Sequence, residues 1–450
     1  MDILEFQNEL FQAGKESGFT EMEIYYSSNK SLSVNVHKQE IDEYNIAETG
    51  GVSFRGLFNG QMGYSYAEKI DRDSISLLLE EALSNAMVLE IEDGEDLFEG
   101  SKEYPPNRPF SEELEQVEAD KLIEAAFEME QTAYDLDDRV QLVQYCYLTK
   151  NISEIFIANS KGLHCHEKTA YVSGGLYLVA NDGQSTATGG ESDYTLTEFS
   201  KLNFKKIAKK AVDEAVSKLG ADSIETGKYP IIFRDSTATE LIGSFLGLLT
   251  AENVQKGYSK FAGKLGEQVA GENFTLIDDP LMKDVPGYIT FDSEGFATKC
   301  KAIIKNGQLM TFMHNRKTAK KDGVESTGNA MKSGYRGTIS VGPYNLYLEP
   351  GNRSLDEMIS TIDKGILIVE LQGANAGINT VAGDFSLAAI GFLIENGKVV
   401  RPVDQITVSG NFFDLIHNIE EVGSDLRILG SVTSPSIKVK PLLVSGNKTE

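Results

Sequence analysis

The sequence predicts an α+β chain, with an N-terminal mixed α/β domain of antiparallel strands and long helices followed by a β-rich C-terminal domain. Three observations predict it. In the first half, the apolar residues switch between a period near 3.6 and a period of 2, marking helices and then half-buried strands. Past residue 228, short apolar runs alternate with Gly- and Asn-rich turns. The 450 residues exceed one ordinary core of about 100–200 residues, so two or three domains are expected.

Taken in order, Ile3, Phe6 and Leu10 predict a helix over 3–14. Met22, Ile24 and Tyr26, then Leu32, Val34 and Val36, alternate as in two strands. Val52 and Phe54 open a hairpin that turns at Asn59-Gly60 and returns through Met62, Tyr64 and Tyr66. Ile75, Leu78, Leu79, Ala82 and Ala86 give an amphipathic helix over 72–88. Residues 90–110, acidic and then rich in proline, predict a long surface loop. A helix over 112–135 leads to strands between 140 and 180, with turns at 159–162 and Gly174-Gly175. A Gly/Ser/Thr loop over 181–193 precedes a helix over 198–219 that ends at Gly220.

The domain boundary is placed at 222/223, giving 1–222 and 223–450. Beyond it come a strand at 231–233 and a helix over 236–249 capped by Asp235 or Ser236. The rest reads as short strands turning at Asn306-Gly307, Asn396-Gly397 and Ser409-Gly410.

Composition narrows the function. At 41% hydrophobic and 24% charged, the chain is not disordered. A net charge of −26 opposes direct contact with nucleic acid, and the basic run at 201–210 reads as the solvated face of a helix. Cys146, Cys165 and Cys300 are odd in number and far apart, which suits a reducing, cytoplasmic setting. No signal peptide and no membrane span are expected.

Catalytic zinc needs about three protein ligands and an open position. Of His37, His164, His166, His314 and His417, only His164 and His166 share a local strand face; they read either as a metal pair or as solvent-facing residues. Cys146 reads as core, and a neighbouring Lys could lower the Cys300 thiol pKa. Asp278-Asp279-Pro280 reads as a turn or as carboxylates for Mg²⁺. Ser326-Thr327-Gly328-Asn329-Ala330, Ser333-Gly334-Tyr335-Arg336-Gly337 and Gly373-Ala374-Asn375-Ala376-Gly377 combine small residues with hydrogen-bonding ones. They suit either tight loops or contact with a peptide backbone.

The motifs Gly257-Tyr258-Ser259-Lys260-Phe261-Ala262-Gly263, Leu276-Ile277-Asp278-Asp279-Pro280, Phe291-Asp292-Ser293-Glu294-Gly295, Leu348-Glu349-Pro350-Gly351 and Gly383-Asp384-Phe385-Ser386, with 326–330 and 50–63, resemble the TldD/PmbA family in order and spacing. The resemblance covers nearly the whole chain. It implies two kinds of member. TldD-type chains carry His-Glu-x-x-x-His on a helix and a late Cys as zinc ligands; TldE (PmbA)-type chains lack them, and the two form a heterodimer around a cleft. Here the helix motif falls on Ile242-Gly243-Ser244-Phe245-Leu246-Gly247, and no Cys follows Cys300, the corresponding end reading Ser431-Val432-Thr433-Ser434-Pro435-Ser436. The resemblance therefore implies a TldE-type subunit without catalytic or metal-binding residues of its own. Zinc is expected in a TldD-like partner, unfolded peptides as substrate, and a homodimer as the state of the isolated chain. Thr327, Asn329 and Arg336 are expected to line the peptide cleft. The alternatives are a self-sufficient metallopeptidase built on His164 and His166, and a regulatory protein, which the name "modulator of DNA gyrase" attached to the family suggests.

Overall fold

The computed structural model describes residues 1–88 and 96–448. Six strands form one antiparallel sheet: β1 (Glu21–His37), β2 (Glu40–Phe58), β3 (Gln61–Ala67), β4 (Val140–Asn159), β5 (His164–Asn181) and β6 (Thr186–Thr195). Their order is β3-β2-β1-β4-β5-β6. Asn59 and Gly60 both adopt positive φ, as a two-residue turn between β2 and β3 requires.

One face of this sheet carries the helices. α1 (Ile3–Glu16) and α2 (Arg72–Val88) pack Phe6, Leu10, Leu78 and Ala82 on Ile24, Phe54 and Phe156. At the other end, α3 (Glu112–Glu115), α4 (Ala119–Leu136) and α5 (Phe204–Ser217) cover Val34, Val36, Leu148, Val172 and Leu178. The residues of opposite parity form the helix-free face. Tyr25, Ile157 and Cys165 pack there against Phe291, which comes from the second half of the chain.

The second half holds three further sheets. β7 (Gly227–Phe233) leads into α6 (Asp235–Ser244). β8 (Leu276–Asp278), β9 (Lys301–Lys305), β10 (Gln308–Leu309), β13 (Leu346–Leu348) and β18 (Val432–Thr433) form a five-stranded sheet. β11 (Ala330–Met331) pairs with β12 (Ser340–Val341). The largest sheet runs β16-β15-β14-β7-β19-β17, from β14 (Lys364–Gln372), β15 (Asp384–Glu395), β16 (Lys398–Asn411), β17 (Ile419–Val422) and β19 (Ile437–Ser445). An extra pairing of β16 with β19 closes five of these strands into a ring. Ile231, Phe233, Leu241, Phe245, Ile366, Ile368 and Ile437 share one core inside it.

Several local expectations are corrected. The two strands expected over 22–36 are one, because the polar stretch between them pairs on both sides with β2 and β4. The helix expected over 112–135 breaks at 116–118, where Lys150 Nζ donates to the carbonyls of Glu115 and Val117, at 2.9 and 2.7 Å. Gly174-Gly175 is mid-strand rather than a turn; a Cβ at Gly175 would lie 2.9 Å from the Glu191 carbonyl. Ser409-Gly410 likewise sits inside β16, and most of 181–193 belongs to β6. The helix over 236–249 is α6 followed by a 3₁₀ turn, and Arg234 at its N-cap makes no side-chain cap bond.

Of the loop expected over 90–110, residues 90–95 lie outside the described residues. The rest is irregular but not merely superficial. Phe98 stacks on Phe296, Tyr104 donates to the Gly295 carbonyl at 2.7 Å, and Arg108 donates to that of Val285 at 2.6 Å. This segment straps the first sheet to the second half.

Candidate functional site

The helix-free face of the first sheet forms one wall of a cleft of about 1410 Å³. Tyr145 and Tyr177 are cross-strand partners on β4 and β5, and Tyr147 lies two residues further along on the same face. All three rings are exposed and line the cleft. The opposite wall is the first turn of α6 and residues 425–434.

Ion pairs hold the two walls. Arg427 grips Glu191 with two bonds of 2.8 and 3.0 Å, and Lys210 approaches the same carboxylate at 3.2 Å. Burial pushes the Glu191 carboxyl up, but Arg427 and Lys210 more than offset this and leave it below its ordinary range. Arg234 pairs in the same two-bonded way with Glu214, at 2.7 and 2.9 Å. Burial raises the pKa of Asp235, beside it on the cleft wall.

The 431–436 segment is fastened to α6. The Ser434 N–H donates to Thr239 Oγ1 at 2.8 Å, and the Asp235 N–H to Ser436 Oγ at 3.1 Å. Asp425 accepts from both the N–H and the hydroxyl of Ser436, at 2.9 and 2.6 Å. The two segments where the resemblance places zinc ligands are thus neighbours in space. A Cβ at Gly243 would lie 3.8 Å from Val432 Cγ1. Their donor set does not fit zinc. Ile242 and Phe245 are buried in apolar core, around a cavity of about 10 Å³ lined by Leu, Ile and Phe. Gly243, Gly247, Val432, Thr433 and Ser434 supply no imidazole, carboxylate or thiolate. Among the described residues, no group of three or more His, Cys, Asp or Glu is arranged to hold a metal ion.

Thr327 and Asn329 sit together, away from this cleft. The Thr327 hydroxyl accepts from the His314 N–H and donates to Asn329 Oδ1, both at 2.7 Å. Asn329 is 0% exposed, and its Nδ2 donates to Asp278 Oδ2 at 2.7 Å and to the Gly342 carbonyl at 2.9 Å. Arg336 does not join them. It lies on the surface, paired with Glu68 and stacked over Tyr66 and Tyr335 at 5.4 and 5.3 Å.

The other candidates resolve more simply. His166 bonds Glu154 at 2.8 Å, and His164 packs edge-on against Phe156. His37 bonds the Val143 carbonyl at 3.0 Å, and His314 is buried, its pKa lowered by desolvation. Asp278 is an interior ion-pair partner of Lys301, at 3.0 Å. The Cys300 thiol is raised, not lowered: burial and Asp279 outweigh Lys301. Sequence reasoning missed the tyrosine wall; its signal was the alternation of Tyr145 and Tyr147 around buried Cys146.

Models of the PmbA/TldA metallopeptidase domain 1, central domain and C-terminal domain match residues 22–86, 112–219 and 226–446. The chain is 33% identical to a candidate DNA gyrase modulator from Thermotoga maritima of known structure, covering 99% of this chain and 100% of that one with a TM-score of 0.91. The crystal structure of TldE from Thermococcus kodakarensis gives 25% identity, coverage of 98% and 100%, and a TM-score of 0.90. A metalloprotease PmbA homolog of Buchnera aphidicola is 25% identical over 95% of this chain and 93% of its own length.

Proposed function

This chain belongs to the PmbA/TldD metallopeptidase family and is of its TldE/PmbA type, and on that premise we propose that it is the non-zinc subunit of a two-chain peptidase acting on unfolded peptides. A TldD-like partner holds the zinc, and this chain shapes the cleft. The observation that carries the reading is that Ile242 and Phe245 are buried in apolar core, while Gly243 and Gly247 bear no side chain, next to a Val432-Thr433-Ser434 segment without a metal ligand.

A bare strand edge supports the peptide part. β3 pairs only with residues 52–58 of β2, so residues 40–51 have no partner strand on that side among the described residues. Glu43 and Asn45 of this stretch border the cleft. An extended peptide can add to such an edge through its backbone, gaining affinity with little demand on sequence. Within this reading Arg336 and Thr327 touch the peptide, and Asn329 acts by holding the Thr327 hydroxyl.

The test is cleavage of an unstructured peptide by this chain, by a TldD-like chain, and by their mixture, each with zinc and with a chelator. Chelator-sensitive cleavage confined to the mixture is expected. Cleavage by this chain alone would overturn the reading. Gel filtration with and without the partner separates a heterodimer from a homodimer.

A further inference from the structure

Three features of the large cleft go beyond a role in shaping a partner's site. The first is charge. Six carboxylates and three cations line it, and every cation is committed: Arg427 and Lys210 to Glu191, and Arg234 to Glu214. Of the carboxylates left over, Asp213 pairs with Lys209 at 2.8 Å, Asp235 accepts from the Ser236 N–H and has Arg234, at 3.8 Å, as its one ion-pair partner among the described residues, and Asp425 bonds Ser436 rather than a cation. The second is aromatic surface, since Tyr145, Tyr147 and Tyr177 present exposed rings from one sheet face. The third is an unsatisfied group. Thr433, in the cleft wall, is 3% exposed, and its Oγ1 has no hydrogen-bond partner.

We propose that this cleft is itself a peptide-binding site, selective for cationic, lysine- and arginine-rich segments of an unfolded chain. The proposal rests on the peptide-handling reading above and names the class of peptide. An ammonium or guanidinium entering the cleft meets tyrosine faces, whose ring quadrupoles attract cations. Asp235, half-buried in the wall, and Glu43, exposed, supply the opposite charge. A peptide carbonyl or N–H that reached the Thr433 hydroxyl would remove the cost of a buried unpaired group. The overall charge of −26 draws such segments in and repels acidic ones. An acidic ligand is disfavoured, because no cation in the wall is free to receive it.

The experiment titrates the full chain, alone, with three fluorescent unstructured peptides of equal length. They differ only in carrying lysine and arginine, glutamine, or glutamate at the same positions. The cationic peptide is expected to bind about tenfold tighter than the glutamine peptide, with the preference shrinking as salt rises, and the glutamate peptide weakest. Asp235→Asn combined with Glu43→Gln should weaken the cationic peptide about fivefold and leave the glutamine peptide unchanged. Equal affinities, no binding at all, or a folded double variant that keeps the full preference would each overturn the proposal. If the double variant fails to fold, the three-peptide comparison on the native chain still decides. Cleavage of the same peptides by the mixture with a TldD-like chain separates the two ideas. Cleavage without charge preference sinks this proposal and spares the peptidase reading; cationic binding without cleavage does the reverse.

Discussion

Asn329 Nδ2 and Asp278 Oδ2 lie 2.7 Å apart with both residues wholly buried. This bond ties the loop carrying Thr327 to the β8 strand, and Lys301 approaches the same carboxylate oxygen at 3.0 Å. Asn329→Ala removes one partner of a buried charge and leaves the Thr327 hydroxyl only the His314 carbonyl, at 3.2 Å, as acceptor. A loss of about 2–3 kcal/mol in urea unfolding is expected. A change below about 0.5 kcal/mol would mean that water or Lys301 replaces the amide completely.

Arg336 should behave in the opposite way. Its side chain is 53% exposed, so its pairing with Glu68 is screened. Arg336→Ala is expected to leave the melting temperature nearly unchanged while slowing peptide cleavage in the mixture with a TldD-like chain. Unaltered cleavage would remove Arg336 from the peptide-contacting surface.

Asp292 gives a pH prediction. It is fully buried, and burial together with neighbouring Glu294 holds its carboxyl well above the ordinary range, although three backbone N–H groups bond it. Its folded pKa exceeds its unfolded value, so the unfolded chain loses the proton first as pH rises. The stability this provides is full below about pH 4 and is lost on the way to neutrality. Thermal midpoints of the native chain and Asp292→Asn, compared between about pH 4.5 and 7.5, should show the native chain losing ground as pH rises. A constant difference would contradict the assignment.

The cysteines predict a thiol count. Cys300 is exposed, whereas Cys146 and Cys165 are buried, with burial pushing their thiols up to about 12 and about 11. A chromogenic thiol reagent at mildly alkaline pH should find one group in the folded protein, reacting more slowly than free cysteine, and the other two only after unfolding. Two fast groups would contradict the buried placement.

Much of the fold was legible where periodicity and turn chemistry agree. Ile75, Leu78, Leu79 and Ala82 marked α2, and Asn59-Gly60 marked its hairpin. What failed shared one cause. Ser27, Ser28 and Asn29 read as a break because they are polar, and Gly174-Gly175 as a turn because they are small. Tertiary pairing, invisible to a local pattern, decides both. The site was legible only as an absence: the positions lacking zinc ligands could be named, but not that 242–247 and 431–436 meet in space. The cleft itself joins residues more than 200 positions apart, such as Glu191 and Arg427.

The central claim is that this chain carries no zinc of its own, and the most direct measurement is elemental analysis of the purified chain and of its complex with a TldD-like chain. The account predicts zinc far below one equivalent in the isolated chain and near one equivalent per complex. One equivalent in the isolated chain, retained through gel filtration, would contradict it.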